Sequence, residues 1–287
     1  MMKKVRIAIV VFFIAVTVVF GTLTIRRRLT TDYRAPVIKA DSDTLIVSIS
    51  ATDEDLLKGM TAYDNIDGDV TDKLVVESKG KFVSKGTLHV TYAAFDSNRN
   101  VATKTREVIY VDYVSPHFHL YSPLRYPASS TGTDYLENMT AEDCLDGSLK
   151  KQIKVSLGKA IAVSGTVMHM PMDVQVTNSC GDTAVLELTV SLEDYSEYSK
   201  PVPALREYIV YVPKGGAIDL RSFITGVWSA GVTRDFSYYR VNPDSDIYVY
   251  ENGLDLNVPG IYEVTYSLIR GEGEEQGNTT LIVIVED

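Results

Sequence analysis

The sequence predicts an all-β protein: three β-sandwiches in a row behind one apolar N-terminal helix. Three observations predict it. A run of 19 uncharged residues, "IAIVVFFIAVTVVFGTLTI", fills Ile7 to Ile25. Beyond it the chain repeats itself at an interval of about 80 residues. Within the repeats, apolar and polar residues alternate with the period of half-buried strands, and no amphipathic helix of useful length interrupts them.

The apolar run comes first. As a helix rising ~1.5 Å per residue it spans roughly 28 Å, close to the hydrocarbon core of a bilayer. Lys3, Lys4 and Arg6 precede it, and Arg26, Arg27 and Arg28 follow it. Two roles are open: an uncleaved signal anchor, or a cleaved signal peptide with Val19 and Gly21 at the −3 and −1 positions. The run continues past Gly21 and stops at three Arg, which favours the anchor. No Cys lies near that point, which excludes a lipoprotein signal. Residues 1–34 hold seven of the 28 Lys/Arg and one of the 38 Asp/Glu. The remainder has 21 basic against 37 acidic residues, a net charge of −16. So acidic a body repels phosphate backbones, and no nucleic acid is expected as a partner.

The repeats come next. "DYRAP" (Asp32 to Pro36) recurs as "DYVSP" (Asp112 to Pro116), "AYDNIDGDV" (Ala62 to Val70) as "AEDCLDGSL" (Ala141 to Leu149), and "FDSNRNVA" (Phe95 to Ala102) as "TNSCGDTA" (Thr177 to Ala184). The extra residues of the second copy fall in "TVMHMPMDV" (Thr166 to Val174), where Pro171 suggests an edge strand or a bulge. A degenerate third copy keeps "GIYEVTYSL" (Gly260 to Leu268) as an echo of "GTLHVTYAA" (Gly86 to Ala94) and lacks the Asp-rich stretch. In "GTLHVTYAAFD", Leu88, Val90 and Tyr92 alternate with Thr87, His89 and Thr91. "VATKTREVIYV" and "TLIVSIS" alternate likewise, and "LIVIVED" is an apolar strand run. Units of this length with six or seven short strands and frequent turn residues are β-sandwiches.

The first repeat resembles the bacterial immunoglobulin-like domains repeated in Gram-positive surface proteins and also found in a pesticidal crystal protein. The resemblance rests on Ala35, Pro36, Val37, Ile38, Ala62, Asp64, Asp67, Gly68, Asp69, Val70, Thr71, Gly86, Val90, Tyr92, Asp96 and Asn100. The chain departs from the family at Arg99, where the family has Gly. The second repeat keeps Ala141, Asp143, Asp146, Gly147, Gly181 and Asp182 but has Ser148 in place of Asp69. The third keeps only the terminal strands. The resemblance implies extracellular immunoglobulin-like sandwiches used as spacers or binding modules, and it names no ligand. The expected layout is a cytoplasmic tail at 1–6, a membrane helix at 7–25 and a linker at 26–34. Domains follow at 35–113 and 114–193, then a linker at 194–203 and a third domain at 204–287. Few contacts are expected across the short linkers.

In a sandwich of this kind, "DNIDGD" and "DSNRN" are loops at one end. Asp64, Asp67, Asp69 and Asp96 are therefore Ca²⁺ candidates, hard oxygen donors in neighbouring loops. The alternative is that Asp and Asn bond nearby backbone in turns while Gly68 supplies a positive φ. No Glu closes a twelve-residue run, so the EF-hand pattern is absent. The turn reading is preferred: no metal is assigned and no cofactor is expected. The only two cysteines, Cys144 and Cys180, align with Asn65 and Asn98 in these two loops. A disulfide between them is expected, with two thiols as the alternative. That bond needs an oxidising compartment. With the resemblance, it places the body outside the cell and the amino terminus inside, against the pull of the exit-side Arg triplet.

No catalytic constellation is visible: no Gly-x-Ser-x-Gly, no phosphate loop, no zinc pattern. His117 and His119 share a strand face near a domain junction and read as structural. His89 and His169 have no evident carboxylate partner. No enzyme activity is expected. The only Trp, Trp228, together with Tyr238, Tyr239, Tyr248 and Tyr250, is the candidate binding surface for a protein or glycan, because rigid rings give contact area at small entropic cost. Packing in the core is the preferred role for rings in alternating strands, and these residues are the best candidates if the chain has an interaction surface. The expected function is a membrane-anchored bacterial cell-surface protein, single-pass with its body extracellular, in a non-catalytic adhesion, spacer or scaffold role. The alternative is an accessory ectodomain of a membrane assembly in envelope biogenesis or secretion.

Overall fold

A computed structural model describes residues 2–30, 32–132, 134–271 and 273–287. Met1 of the expected tail and Thr31 of the expected linker lie outside the described residues. The N-terminal helix runs from Met2 to Thr30, further at both ends than the expected span. Its stretch Lys4–Arg26 is long and apolar enough to cross a membrane. Phe12, Phe13 and Phe20 stand fully outward on it. The described chain falls into two compact units, divided between Asp112 and Tyr113.

The first unit contains one sandwich. A three-stranded sheet takes Val37–Ala40, Met60–Asp64 and Gly68–Asp69 in that order. A four-stranded sheet takes Thr44–Val47, Val101–Tyr110, Thr87–Phe95 and Val75–Ser84. Thr44–Val47 runs parallel to Val101–Tyr110; the other pairings are antiparallel. The predicted alternation fixes the inner face, since Leu88, Val90 and Tyr92 are fully buried. The Tyr92 hydroxyl donates to the Leu56 carbonyl at 2.9 Å, so the large ring is buried without leaving a polar atom alone. Arg106, also buried, donates to Asp41 and to the Lys58 carbonyl, each at 2.8 Å.

The second unit holds two further sandwiches with the same strand order. In the third, Gly260–Arg270 occupies the place of Thr87–Phe95. Its Tyr266 repeats the device of Tyr92, donating to the Leu220 carbonyl at 2.7 Å. The weak echo in sequence is therefore a true repeat of fold: both sandwiches place a buried ring with a bonded polar tip at that point.

Two expectations are corrected here. Pro171 lies on an inner strand, Val167–Thr177, not at an edge. It is tolerated because the neighbouring strand is broken. Lys154–Leu157 and Ile161–Ala162 pair on either side of it, and only the Gly158 N–H reaches the Pro171 carbonyl, at 2.8 Å. No donor is needed from Pro171 on that side. The second correction concerns the linker. The second and third sandwiches share one continuous core, from Phe118 and Met172 to Tyr266 and Val283. The Tyr208 N–H donates to the Leu120 carbonyl at 2.7 Å, and the Phe118 N–H to the Tyr211 hydroxyl at 2.8 Å. The strand ends His117–Leu120 and Ile209–Pro213 thus meet, and the junction is a packed joint.

Candidate functional site

The acidic loops of the first sandwich each begin as turns. Asp64 Oδ1 accepts from the N–H groups of Asp67 (2.9 Å) and Ile66 (2.8 Å), which hold its carboxyl below the usual carboxylate range. Asp67 reaches across to the other loop, accepting from the Ser97 N–H at 2.5 Å and its hydroxyl at 2.8 Å. Those two bonds lower its pKa, with a smaller contribution from Lys73. Asp69 is held below its ordinary value by the Thr71 hydroxyl and N–H. Asp96 accepts from the Asn100 N–H (2.8 Å) and side-chain amide (2.7 Å). Gly68 takes φ +78°, as the turn requires, and Arg99 is forced to +69° where the second sandwich has Gly181 at +88°.

The four candidates then part company. Asp64 and Asp96 point to one place, and Asp32 joins them: each offers an oxygen, and the three oxygens lie within 4.8 Å of one another. All three side chains are buried. Asp67 and Asp69 are spent on Ser97 and Thr71 and stand outside this group. Asp32 was missed in sequence because it lies far from the Asp-rich loop. Its signal was present, since it heads the repeated "DYRAP".

The second sandwich builds the same loops with a different centre. Asp143 Oδ1 accepts from the N–H groups of Leu145 (2.9 Å) and Asp146 (3.0 Å). Asp146 accepts from the Ser179 N–H (2.6 Å) and hydroxyl (2.7 Å), the counterpart of Asp67 with Ser97. Asn178 replaces Asp96, and its amide donates to Asp143 Oδ2 at 3.1 Å and to the Tyr113 hydroxyl at 2.8 Å. That hydroxyl donates in turn to Asp182 at 2.7 Å. Burial, then the Asp182 contact, push the Tyr113 phenol well above its ordinary value.

The expected disulfide is absent: Cys144 and Cys180 are not bonded to each other. The loops do meet, but Asp146 and Ser179 clamp them. The Cys144 thiol donates instead to the Val114 carbonyl at 3.2 Å.

Of the aromatic candidates, Trp228 takes the packing role and leaves the candidate surface. Trp228 is only 3% exposed. It packs on Val202 and Ala204, edge-on to Tyr198, with the Arg125 guanidinium 5.3 Å from its ring centre. Tyr238, Tyr248 and Tyr250 are exposed, the last two on one face of Ile247–Tyr250. Tyr238 meets Tyr239 edge-on and carries Arg234 over its ring at 4.5 Å. Tyr248 borders a cleft of about 690 Å³ lined also by Asp219, Arg221, Asp244 and Glu251. His117 and His119 belong to the joint. His117 lies 3.0 Å from Glu286 and stacks on Tyr211, and His119 lies 2.5 Å from Glu207. The Glu207 contact raises the pKa of His119.

The fold defines a class: tandem immunoglobulin-like β-sandwiches behind one apolar N-terminal helix. No family model matches the chain, and no curated protein matches it. Among solved structures, the chain is similar to carbohydrate-binding-module and INT domains of Clostridium perfringens ZmpB. The identity there is 17%, over 50% of this chain and 29% of that one, with a TM-score of 0.22. It is also similar to Drosophila N-cadherin EC1-4, at 13% identity over 88% of this chain and 76% of that one, with a TM-score of 0.21. A third is human CDH23 EC21-23, at 15% identity over 85% and 97%, with a TM-score of 0.20. The chain spans less than a third of the Clostridium chain.

Proposed function

We propose that this protein is a membrane-anchored, non-catalytic bacterial cell-surface protein whose sandwiches serve as a spacer, scaffold or adhesive body. One observation carries the reading. An outward-facing apolar helix leads into sandwiches in which Asp67 and Asp146 clamp neighbouring loops and His119 is held in the joint. The resemblance of the first repeat to exported domains supports an extracellular body. The absence of the disulfide removes one argument for that location, so the placement rests on the helix and the resemblance. The exposed tyrosines of the third sandwich, Tyr238, Tyr248 and Tyr250, are the contact surface for a protein or glycan.

The test is protease added to intact cells that express the full chain. Loss of the β-rich body is expected. Protection until the membrane is broken would overturn the orientation. Mild crosslinking in the same cells separates the roles. Capture of wall polymer or glycan supports adhesion, whereas one membrane protein at fixed stoichiometry would replace it with the accessory-subunit role.

A further inference from the structure

We propose that Asp32, Asp64 and Asp96 of the first sandwich hold one hard divalent cation of the Ca²⁺ class. The three carboxylates each present an oxygen within 4.8 Å of the others. Their exposures are 7%, 1% and 6%. Acidic groups this close and this buried repel one another strongly unless positive charge lies among them. Among the described residues no ion pair joins Asp32, Asp64 or Asp96 to a Lys, Arg or His; Lys73 pairs with Asp67 and Arg106 with Asp41.

A second observation is independent of the clustering. Asp32 Oδ2 and Asp64 Oδ2 are buried and have no hydrogen-bond partner among the described residues. Buried carboxylate oxygens are almost always satisfied, so each such atom requires an explanation. In both residues the other oxygen is already satisfied by backbone, from Arg34 and from Ile66 and Asp67. Asp32 and Asp64 are therefore each held with Oδ2 free to coordinate, and Asp96 brings oxygens that already accept from Asn100.

The second sandwich is the internal comparison. Where the first has Asp96, it has Asn178, and the amide nitrogen donates to Asp143 Oδ2, the counterpart of the unsatisfied Asp64 Oδ2. One sandwich satisfies this oxygen with a neutral donor; the other has a third carboxylate there instead, and a cation does the same work. The donor set is oxygen only, which selects a hard ion, and irregular loops suit the flexible shell of Ca²⁺ better than the strict octahedron of Mg²⁺. The bound ion would tie together the segment that follows the N-terminal helix, the Asp64 loop and the Asp96 loop.

The experiment uses the full chain in detergent micelles, stripped with chelator and dialysed against ⁴⁵Ca²⁺. One Ca²⁺ per chain is expected, with affinity between roughly micromolar and millimolar. Asp96→Asn should weaken binding by at least about tenfold and still fold, because it recreates the arrangement of Asn178. Asp32→Asn, in an extended segment outside the sheets, should do the same and serves as the second variant. Asp69→Asn, outside the group, should bind as the wild type does. Hydrogen exchange should slow at residues 62–70 and 95–101 when Ca²⁺ is added. No bound Ca²⁺ at about 5 mM, or equal binding by wild type and both cluster variants, would overturn the proposal. Equal competition by Mg²⁺ would overturn the assignment to the Ca²⁺ class.

Discussion

Asn178→Asp places a third carboxylate in the loop centre of the second sandwich. Asn178 is 5% exposed and its amide donates two hydrogen bonds, to Asp143 and to Tyr113. The substitution removes both donors and sets a carboxylate where a nitrogen lies 3.1 Å from Asp143 Oδ2. Two full charges at that distance repel by roughly 5 kcal/mol at an effective dielectric constant of about 20. The pair has a cheaper escape: it takes up one proton. Holding a carboxyl protonated at pH 7, against an ordinary value near 3.9, costs about 4 kcal/mol. The protonated group then donates one of the two lost bonds, and the other loss adds about 1 kcal/mol. The expected destabilisation at pH 7 is therefore about 4–5 kcal/mol. The folded variant binds a proton that the unfolded chain does not, so its stability falls as pH rises from the unfolded carboxyl value. At pH 4.5 the protonation cost shrinks to about 1 kcal/mol, and most of the loss should disappear. Trp228 is the only Trp and lies in the second unit, so its fluorescence during urea unfolding reports this body alone. A loss under about 1 kcal/mol at pH 7, or a loss independent of pH between 4.5 and 7, would refute the reasoning.

Three further outcomes are expected. Removing one hydroxyl in Tyr92→Phe or Tyr266→Phe leaves the Leu56 or Leu220 carbonyl without its donor. Each should cost about 1–2 kcal/mol in urea unfolding of its own unit. Arg99→Gly should stabilise the first sandwich by about 1 kcal/mol, measured by circular dichroism, because Arg99 holds φ +69°. His119 bonds Glu207, faces Glu142 as well, and has its pKa raised above 6.5. Its contribution to the joint is fully present below that value and is lost as pH rises through the folded value. The melting temperature of the second unit should therefore fall from pH 6 to pH 9, and His119→Gln should flatten that part of the profile.

The strands were legible because their signal is local. The alternation of Leu88, Val90 and Tyr92 names a buried face wherever the strand sits in space, and 19 uncharged residues name an apolar helix. Gly68 was legible for the same reason: a turn needs its positive φ, and +78° is what it takes. Arg99 stood out as a departure from a Gly position, and its backbone takes the positive φ of +69° that Gly adopts most readily. The repeat alignment placed Asp143 and Asn178 on Asp64 and Asp96, and these pairs do occupy matching positions.

Tertiary structure decided the rest, because it depends on which distant atoms meet. The sequence offered four aspartates for one site. Only packing brought Asp32 to Asp64 and Asp96, and only packing gave Asp67 to Ser97 and Asp69 to Thr71. Cys144 and Cys180 lie in loops that touch, yet Asp146 and Ser179 make the clamp. Trp228 is a residue type suited to a binding surface but sits in a core position, because Val202, Ala204, Tyr198 and the Arg125 guanidinium pack around it. The joint was hidden for the same reason. His119 and Glu207 lie 88 residues apart in sequence, and no local pattern records that they meet.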